Sequence, residues 1–405
     1  MLPNSSGHGA IVRLLSRRAL TLAELAQATG VSLPTLRRAI QDLSEKRWVA
    51  PNGEHTTTGG RPAVLYGLDA THHYIFGVHI QLPGLRIAAV DLAGDVLCAK
   101  HIAHDELRPD DVVREVAHAI QAIIARFPQR NPLGLSVATP GFTDPDSGTI
   151  LSIGRVPGWQ NYPLKARLEA GVGLRVSVAN DVDCMAIAEL AHLGAWPTAN
   201  IVYLGFDEGI KVSLFLEGRQ YTGPFGNAGN VGNSVLPVFP ATNGPEVAKL
   251  EHLVSLRAIS ETFDAWAAQQ VDPPAEHNMA LRQIDDHRAK FRALVQAATA
   301  GDALCRTLLE EGLDTLAIAI ANLLHILQPG MLITGGALSD LAPDLHQHFD
   351  AAVRRHLPPL ISNYLVIQKA QFALPNQVCI GAARAFLDRC VLADDFLTTV
   401  GERAR

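Results

Sequence analysis

Apolar positions recur at helical spacing through the first fifty residues and at strand spacing through much of the remaining chain. GAIVRLLSRR (9–18) reads as a short amphipathic helix. Thr21 precedes LAELAQATG, and Glu24 three residues on completes a capping box; Gly30 closes that helix. Ser32 caps a third helix, LPTLRRAIQDLSEKRW, with Leu33, Leu36, Ile40 and Leu43 on one face. Trp48-Val49 and Val64-Leu65-Tyr66 then read as two strands around a loop, Asn52 to Pro62, that contains Gly59-Gly60 and Arg61. Three helices, the last two joined by a glycine turn, followed by a basic hairpin, is the spacing of a winged helix-turn-helix over residues 1–70.

From residue 74 the period changes. YIFGVHI, a turn at Leu82-Pro83-Gly84, and LRIAAVDLAGDVLCAK predict a three-strand meander. A helix follows over about 110–127, and LGLSVATPG (133–141) reads as a buried strand. The pattern restarts at NIVYLGFDEGIKVSLFLEGRQY (200–221), again strand, turn, strand, glycine turn, strand. A helical region fills 246–328, MLITGGAL (331–338) is a strand ending in glycines, and a helix, a strand near 364–370 and a last helix, IGAARAFLDRC, complete the chain. This is an internal duplication. It predicts an α/β fold with two similar lobes, 71–198 completed by the C-terminal helix at about 380–395, and 199–379. A cleft between two such lobes is a common place for a ligand.

Within the first lobe, LRVSVANDVDCMAIAEL (174–190) is a short strand, then Asn180-Asp181, then a helix. A carboxylate just past a strand end, facing a helix start, is where α/β proteins put ligand chemistry. The same aspartate in that position can simply cap the helix, and the stretch alone leaves both readings open.

Charge changes this picture in one respect. The whole chain carries −6, but residues 1–70 carry +3 and the remainder −9. A basic head on an acidic body predicts that only the head meets double-stranded DNA. Ser32, Thr35, Arg37 and Arg38 lie opposite the apolar stripe, where a recognition helix reads the major groove, and Arg61 is placed to reach phosphate or the minor groove. The five cysteines are scattered, with no CxxC pair, as reduced cytoplasmic thiols are. No signal peptide opens the chain, and no apolar run reaches the ~18–20 residues of a membrane span. The expected location is the cytoplasm.

Several motifs together resemble the ROK family (repressors, open reading frames and kinases), in particular its winged-helix repressor branch, which includes regulators of N-acetylglucosamine, xylose and glucose-uptake genes. They are GGRP at 59–62, VATPGFTDPDSGTIL at 137–151, PGW at 157–159, Asn180-Asp181, GNAGNVGN at 226–233 and TGGAL at 334–338. The resemblance implies a two-lobed actin/hexokinase-like (ribonuclease H-like) fold behind the head. It also implies that Asn180 and Asp181 bind sugar hydroxyls, Asp181 being the general base if the chain were a kinase. The family's Glu-x-Gly-His is here Asn230-Val231-Gly232-Asn233, and a further family glutamate matches Glu251. The expected ligand contacts are therefore Asn180, Asp181, Asn230, Asn233 and Glu251.

Three departures matter. The kinases' Asp-x-Gly-Gly-Thr-like phosphate turn is here His79-Ile80-Gln81-Leu82-Pro83-Gly84, and their Gly-Thr-Gly is Gly205-Phe206-Asp207-Glu208-Gly209. Carboxylates at that point repel a polyphosphate. Gly335-Gly336 alone matches the nucleotide-side glycines. The family's zinc ligands have no counterpart, since 226–260 holds no Cys and only one His, His252. These features predict a regulator with no catalytic residues, no cofactor and no metal. It would be a homodimer or homotetramer that represses carbohydrate uptake or catabolism genes and binds a sugar or sugar derivative between its lobes. The alternatives are an ATP-dependent sugar kinase, or a repressor with a vestigial sugar cleft controlled by a protein partner.

Overall fold

A computed structural model describes residues 7–55, 63–81, 84–103, 108–154, 156–193, 200–238, 246–269, 280–372 and 375–391. The chain divides into two compact units, Met1–Trp196 with Phe372–Arg405, and Pro197–Gln371. No helix among the described residues is long and apolar enough to cross a membrane.

The first unit begins with α1 (Gly7–Leu15), β1 (Leu20–Thr21), α2 (Leu22–Thr29) and α3 (Leu33–Glu45). The capping box is present: the Thr21 hydroxyl accepts from Glu24 N (3.2 Å) and the Glu24 carboxylate accepts from Thr21 N (2.8 Å). Gly30 ends α2 at φ 72° and donates its N–H to the Ala26 carbonyl. Leu36, Ile40 and Leu43 are buried, whereas Leu33 is 42% exposed. The expected stripe thus begins one turn later than the sequence suggested, because the first residue of α3 projects beyond the core. β2 (Val49–His55) and β3 (Ala63–Leu68) pair antiparallel, and β1 joins as a third strand in the order β1-β3-β2. The hairpin tip, and with it Arg61, lies outside the described residues.

Behind the head comes a five-stranded sheet. It contains β4 (His73–Gln81), β5 (Gly84–Asp91), β6 (Val96–Ala103), β7 (Asn131–Thr139) and, after a small ribbon β8 (Phe142–Thr143)/β9 (Ile150–Ser152), β10 (Val176–Asn180). Its order is β10-β7-β4-β5-β6, the first three parallel and the last three antiparallel. The second unit repeats the plan with β11 (Ile201–Phe206), β12 (Ile210–Leu216), β13 (Arg219–Tyr221), β16 (Met331–Gly336) and β17 (Val366–Lys369) in the order β13-β12-β11-β16-β17. Meander strands at one edge and two parallel additions at the other recur in both units, as the sequence duplication predicts. α4 (Pro109–Arg126) and α5 (Leu164–Val172) cover one face of the first sheet, and the C-terminal helix Gln377–Phe386 returns to pack on the other with α6 (Asp181–His192).

Head and first sheet share one apolar core. Ile11, Leu36 and Trp48 cluster with Val90, Ile380 and Phe386. Trp48 stacks on His73 with ring centroids 4.5 Å apart, and His73 Nε2 lies 3.1 Å from the Lys46 carbonyl. His73 is thus a core residue. Burial lowers its pKa to about 4, and burial with the nearby Arg86 does the same to His79. Unfolded, both titrate near 6.5, so the unfolded chain binds more protons between pH 6.5 and 4 and stability falls as pH falls through that window. Each histidine should cost about 2 kcal/mol on going from pH 7 to pH 5. Urea unfolding at the two pH values should show this loss, and His79→Gln should remove roughly half of it.

Candidate functional site

The candidate recognition surface is carried by α3. The Ser32 hydroxyl caps it, accepting from Thr35 N and lying 2.9 Å from Thr35 Oγ1. Burying Leu36, Ile40 and Leu43 turns Ser32, Thr35, Arg37 and Arg38 outward, and all four are exposed. Arg47 fixes the end of this element to the following sheet: its Nε donates to Asp69 Oδ2 (3.1 Å) and a terminal nitrogen to Thr71 Oγ1 (2.8 Å).

The polar cluster of the first unit sits where β10 becomes α6. Asn180 is the cap, its Oδ1 accepting from Val182 N (3.0 Å) and Asp183 N (3.4 Å). Asp181 is the first helical residue, and its Oδ1 accepts from Val182 N (2.8 Å). The capping role considered for the aspartate therefore falls to its neighbour. Asn180 is buried and spends its oxygen on the helix. Asp181 is half-buried at the N-terminus of α6.

In the second unit the glycine-rich segment brings Asn230, Asn233 and Glu251 together. Asn230 Nδ2 donates to the Asn227 carbonyl (2.8 Å), which leaves its Oδ1 as the acceptor. Gly232 is so close to α7 (Leu250–Val254) that an added Cβ would stand 3.0 Å from Glu251 Oε2. Asn233 Oδ1 accepts from Lys249 Nζ (2.8 Å). Sequence reasoning missed Lys249; the antiparallel pairing of β14 (Val235–Val238) with β15 (Glu246–Lys249) brings it back beside Asn233. The ammonium at this point orients the Asn233 amide oxygen.

The β11–β12 turn departs from expectation. Asp207 and Glu208 do not stand as bare carboxylates. Arg288 donates to Asp207 Oδ1, to Asp340 Oδ2 and to the Gly336 carbonyl, each at 3.2 Å. Arg292 adds a second bond to Asp340 (2.9 Å), His287 Nδ1 lies 2.6 Å from Glu208 Oε1, and Arg257 is 3.8 Å from the same carboxylate. Repulsion of phosphate by two open charges is therefore the wrong account. The turn is already bridged, by protein groups, to the β16 end that carries Gly335-Gly336.

The ROK family model matches residues 76–389, and the IclR helix-turn-helix domain model matches residues 10–53. The chain is 22% identical to a xylose repressor of Caldicellulosiruptor bescii over 80% of its own length and 81% of the relative's. It is 26% identical to a beta-glucoside kinase of Klebsiella pneumoniae over 67% of its length and 87% of the kinase's. Its fold matches the crystal structure of a ROK-family transcriptional regulator, a homologue of the Escherichia coli MLC protein, with a TM-score of 0.78 at 21% identity, covering 98% of each chain. With more than three quarters of its length matched behind a helix-turn-helix head, the chain belongs to the ROK family.

Proposed function

We propose that the protein is a DNA-binding transcriptional regulator, a repressor of carbohydrate uptake or catabolism genes that responds to a sugar or sugar derivative. The observation that carries this reading is the exposed quartet Ser32, Thr35, Arg37 and Arg38 on a helix whose other face is locked into the head's core. A capped helix offering two guanidinium groups and two hydroxyls from its first turns has the chemistry of major-groove readout. The xylose repressor match spans most of the chain and supports the same assignment. A helix-turn-helix protein of this kind reads two half-sites as a homodimer or homotetramer. Hydroxyl recognition falls to Asn180 and Asp181, and to Asn230, Asn233 and Glu251, with Lys249 as an added donor. Groups that pair with hydroxyls discriminate strongly against a sugar that lacks one.

Against phosphoryl transfer stands Arg288, whose guanidinium already bridges Asp207, Asp340 and Gly336. A nucleotide would have to displace that set before reaching the backbone amides that cradle phosphate in P-loop-like sites.

The test is a thermal-shift panel of neutral sugars, amino sugars, sugar phosphates and ATP on the intact protein. One sugar class should raise the melting temperature and ATP should not; a 100-fold excess over Kd corresponds to about 2.7 kcal/mol. Asp181→Asn should erase the sugar's effect. An ATP response with turnover that depends on Asp181 would overturn this reading in favour of a kinase. Silence across the panel would favour control by a protein partner.

A further inference from the structure

α6 is loaded at both ends. Its N-terminus carries Asn180 and Asp181. At its C-terminal end Glu189 Oε2 accepts from Phe372 N (2.9 Å), and His192 stacks on the Phe372 ring with centroids 4.9 Å apart. Phe372 is the first residue of the chain after it leaves the second unit. Between these ends the C-terminal helix Gln377–Phe386 lies against α6 without a spacer. A Cβ built on Gly381 would stand 1.8 Å from the Cys184 carbonyl oxygen, so the two helix backbones lie in direct contact.

The same C-terminal helix grips the head. Ile380, Ala383 and Phe386 belong to the core that contains Ile11, Leu36 and Trp48. From its last turn Arg384 sends one nitrogen to the Ser16 carbonyl just past α1 (3.4 Å) and another to the Ala93 carbonyl in the β5–β6 turn (2.8 Å). One guanidinium thus ties the head to the sheet behind it. Asp388, one turn further on, sits in the field of Arg17 and Arg13 of the head as well as of Arg384. Nothing in winged-helix chemistry requires such a clamp. A head that reads DNA by itself needs only a tether.

We infer that the C-terminal helix is the element that positions the DNA-reading head, with Arg384 as its positioning residue, and that through Gly381 and Cys184 it couples the head to α6 and so to Asn180 and Asp181. This rests on the regulator reading and adds its route. A change at the N-terminus of α6, or at the Phe372 crossing, moves a helix that lies in direct contact with the C-terminal one. The C-terminal one in turn sets the angle of the head. Two heads held at fixed angles fix the half-site separation they accept, since half-sites repeat with the ~34–36 Å turn of the duplex.

The experiment uses the intact chain and a duplex selected by the wild-type protein from a random pool. The wild type should discriminate strongly between that duplex and one carrying about 5 extra base pairs, half a helical turn, between its half-sites. Arg384→Met should lower affinity for the native spacing about 10-fold and bind both spacings within about 2-fold of each other, a shift of ~1.4 kcal/mol in the native complex. Arg384→Lys should restore much of the discrimination. A purely structural role would lower affinity for both duplexes alike, and unchanged spacing discrimination in Arg384→Met would overturn the inference. Amide hydrogen exchange decides separately, should the wild type select no duplex and the regulator reading fail. Arg384→Met should then speed exchange across α1 while β4 and β7 stay protected. Equal protection of α1 in variant and wild type would overturn the clamp. Should Arg384→Met not fold, Arg384→Gln, which keeps one donor, is scored by the same two readouts.

Discussion

Alanine at both Arg37 and Arg38 should weaken operator binding by about 5- to 150-fold for each arginine that reads a base edge, on the basis of ~1–3 kcal/mol per such contact. Both side chains are exposed, outside the buried stripe of Leu36, Ile40 and Leu43. The double variant should therefore fold with stability within about 0.5 kcal/mol of wild type, as surface substitutions away from caps and cores do. Salt dependence separates the two roles an arginine can take. An arginine on phosphate lowers the slope of log K against log salt by about 1 when removed and weakens all sequences alike; one on a guanine edge relaxes specificity at one position. Fluorescence anisotropy of a labelled duplex over a salt series reads both. If the double variant bound as tightly as wild type, α3 would not be the recognition helix. Ser32→Ala removes both the cap of the same helix, at a cost of about 1 kcal/mol of stability, and one of the hydroxyls offered to the groove, so it should weaken DNA binding less than the double arginine variant while lowering stability more.

Much of the fold was legible because the features that encode it are local. The Thr21/Glu24 box, the glycine at 30 and the two meanders depend on residues a few positions apart, and all were readable from period and capping chemistry. The site was less so. Asn and Asp are nearly equal as helix caps, so sequence could not say which of Asn180 and Asp181 would spend its oxygen on the backbone. The Arg288 bridge spans 81 residues to Asp207 and 48 to Gly336, and no pattern in either segment announces the other. Arg384 and Ser16 lie 368 residues apart, so the grip of the C-terminal helix on the head exists only once the chain has closed on itself. Lys249 lay near its partner, 16 residues away, and was readable in principle from the hairpin register. Arg288 and Arg384 were missed because the partner of each charged side chain is set by topology and not by spacing.

Gly229→Ala should destabilise the second unit by about 3–5 kcal/mol, at the upper end for single substitutions, and should abolish the sugar-dependent thermal shift. Two effects add. Gly229 has φ 89°, a conformation alanine adopts only at a cost of about 1–2 kcal/mol. A Cβ there would also stand 1.9 Å from the Val212 carbonyl oxygen, which is backbone of β12 and cannot swing aside. Relief requires the loop to lift, and lifting breaks the 2.8 Å bond from Val212 N to the Gly229 carbonyl that seats Asn230 beside the sheet. Gly30→Ala isolates the first effect. Gly30 has φ 72°, close to that of Gly229, but a Cβ there meets nothing within 4 Å. It should cost only the ~1–2 kcal/mol of backbone strain, weaken the head and leave the sugar response intact. The difference between the two variants in urea unfolding then measures the collision with Val212. Equal costs would mean that the loop yields freely and that the Val212 contact does not hold Asn230 in place.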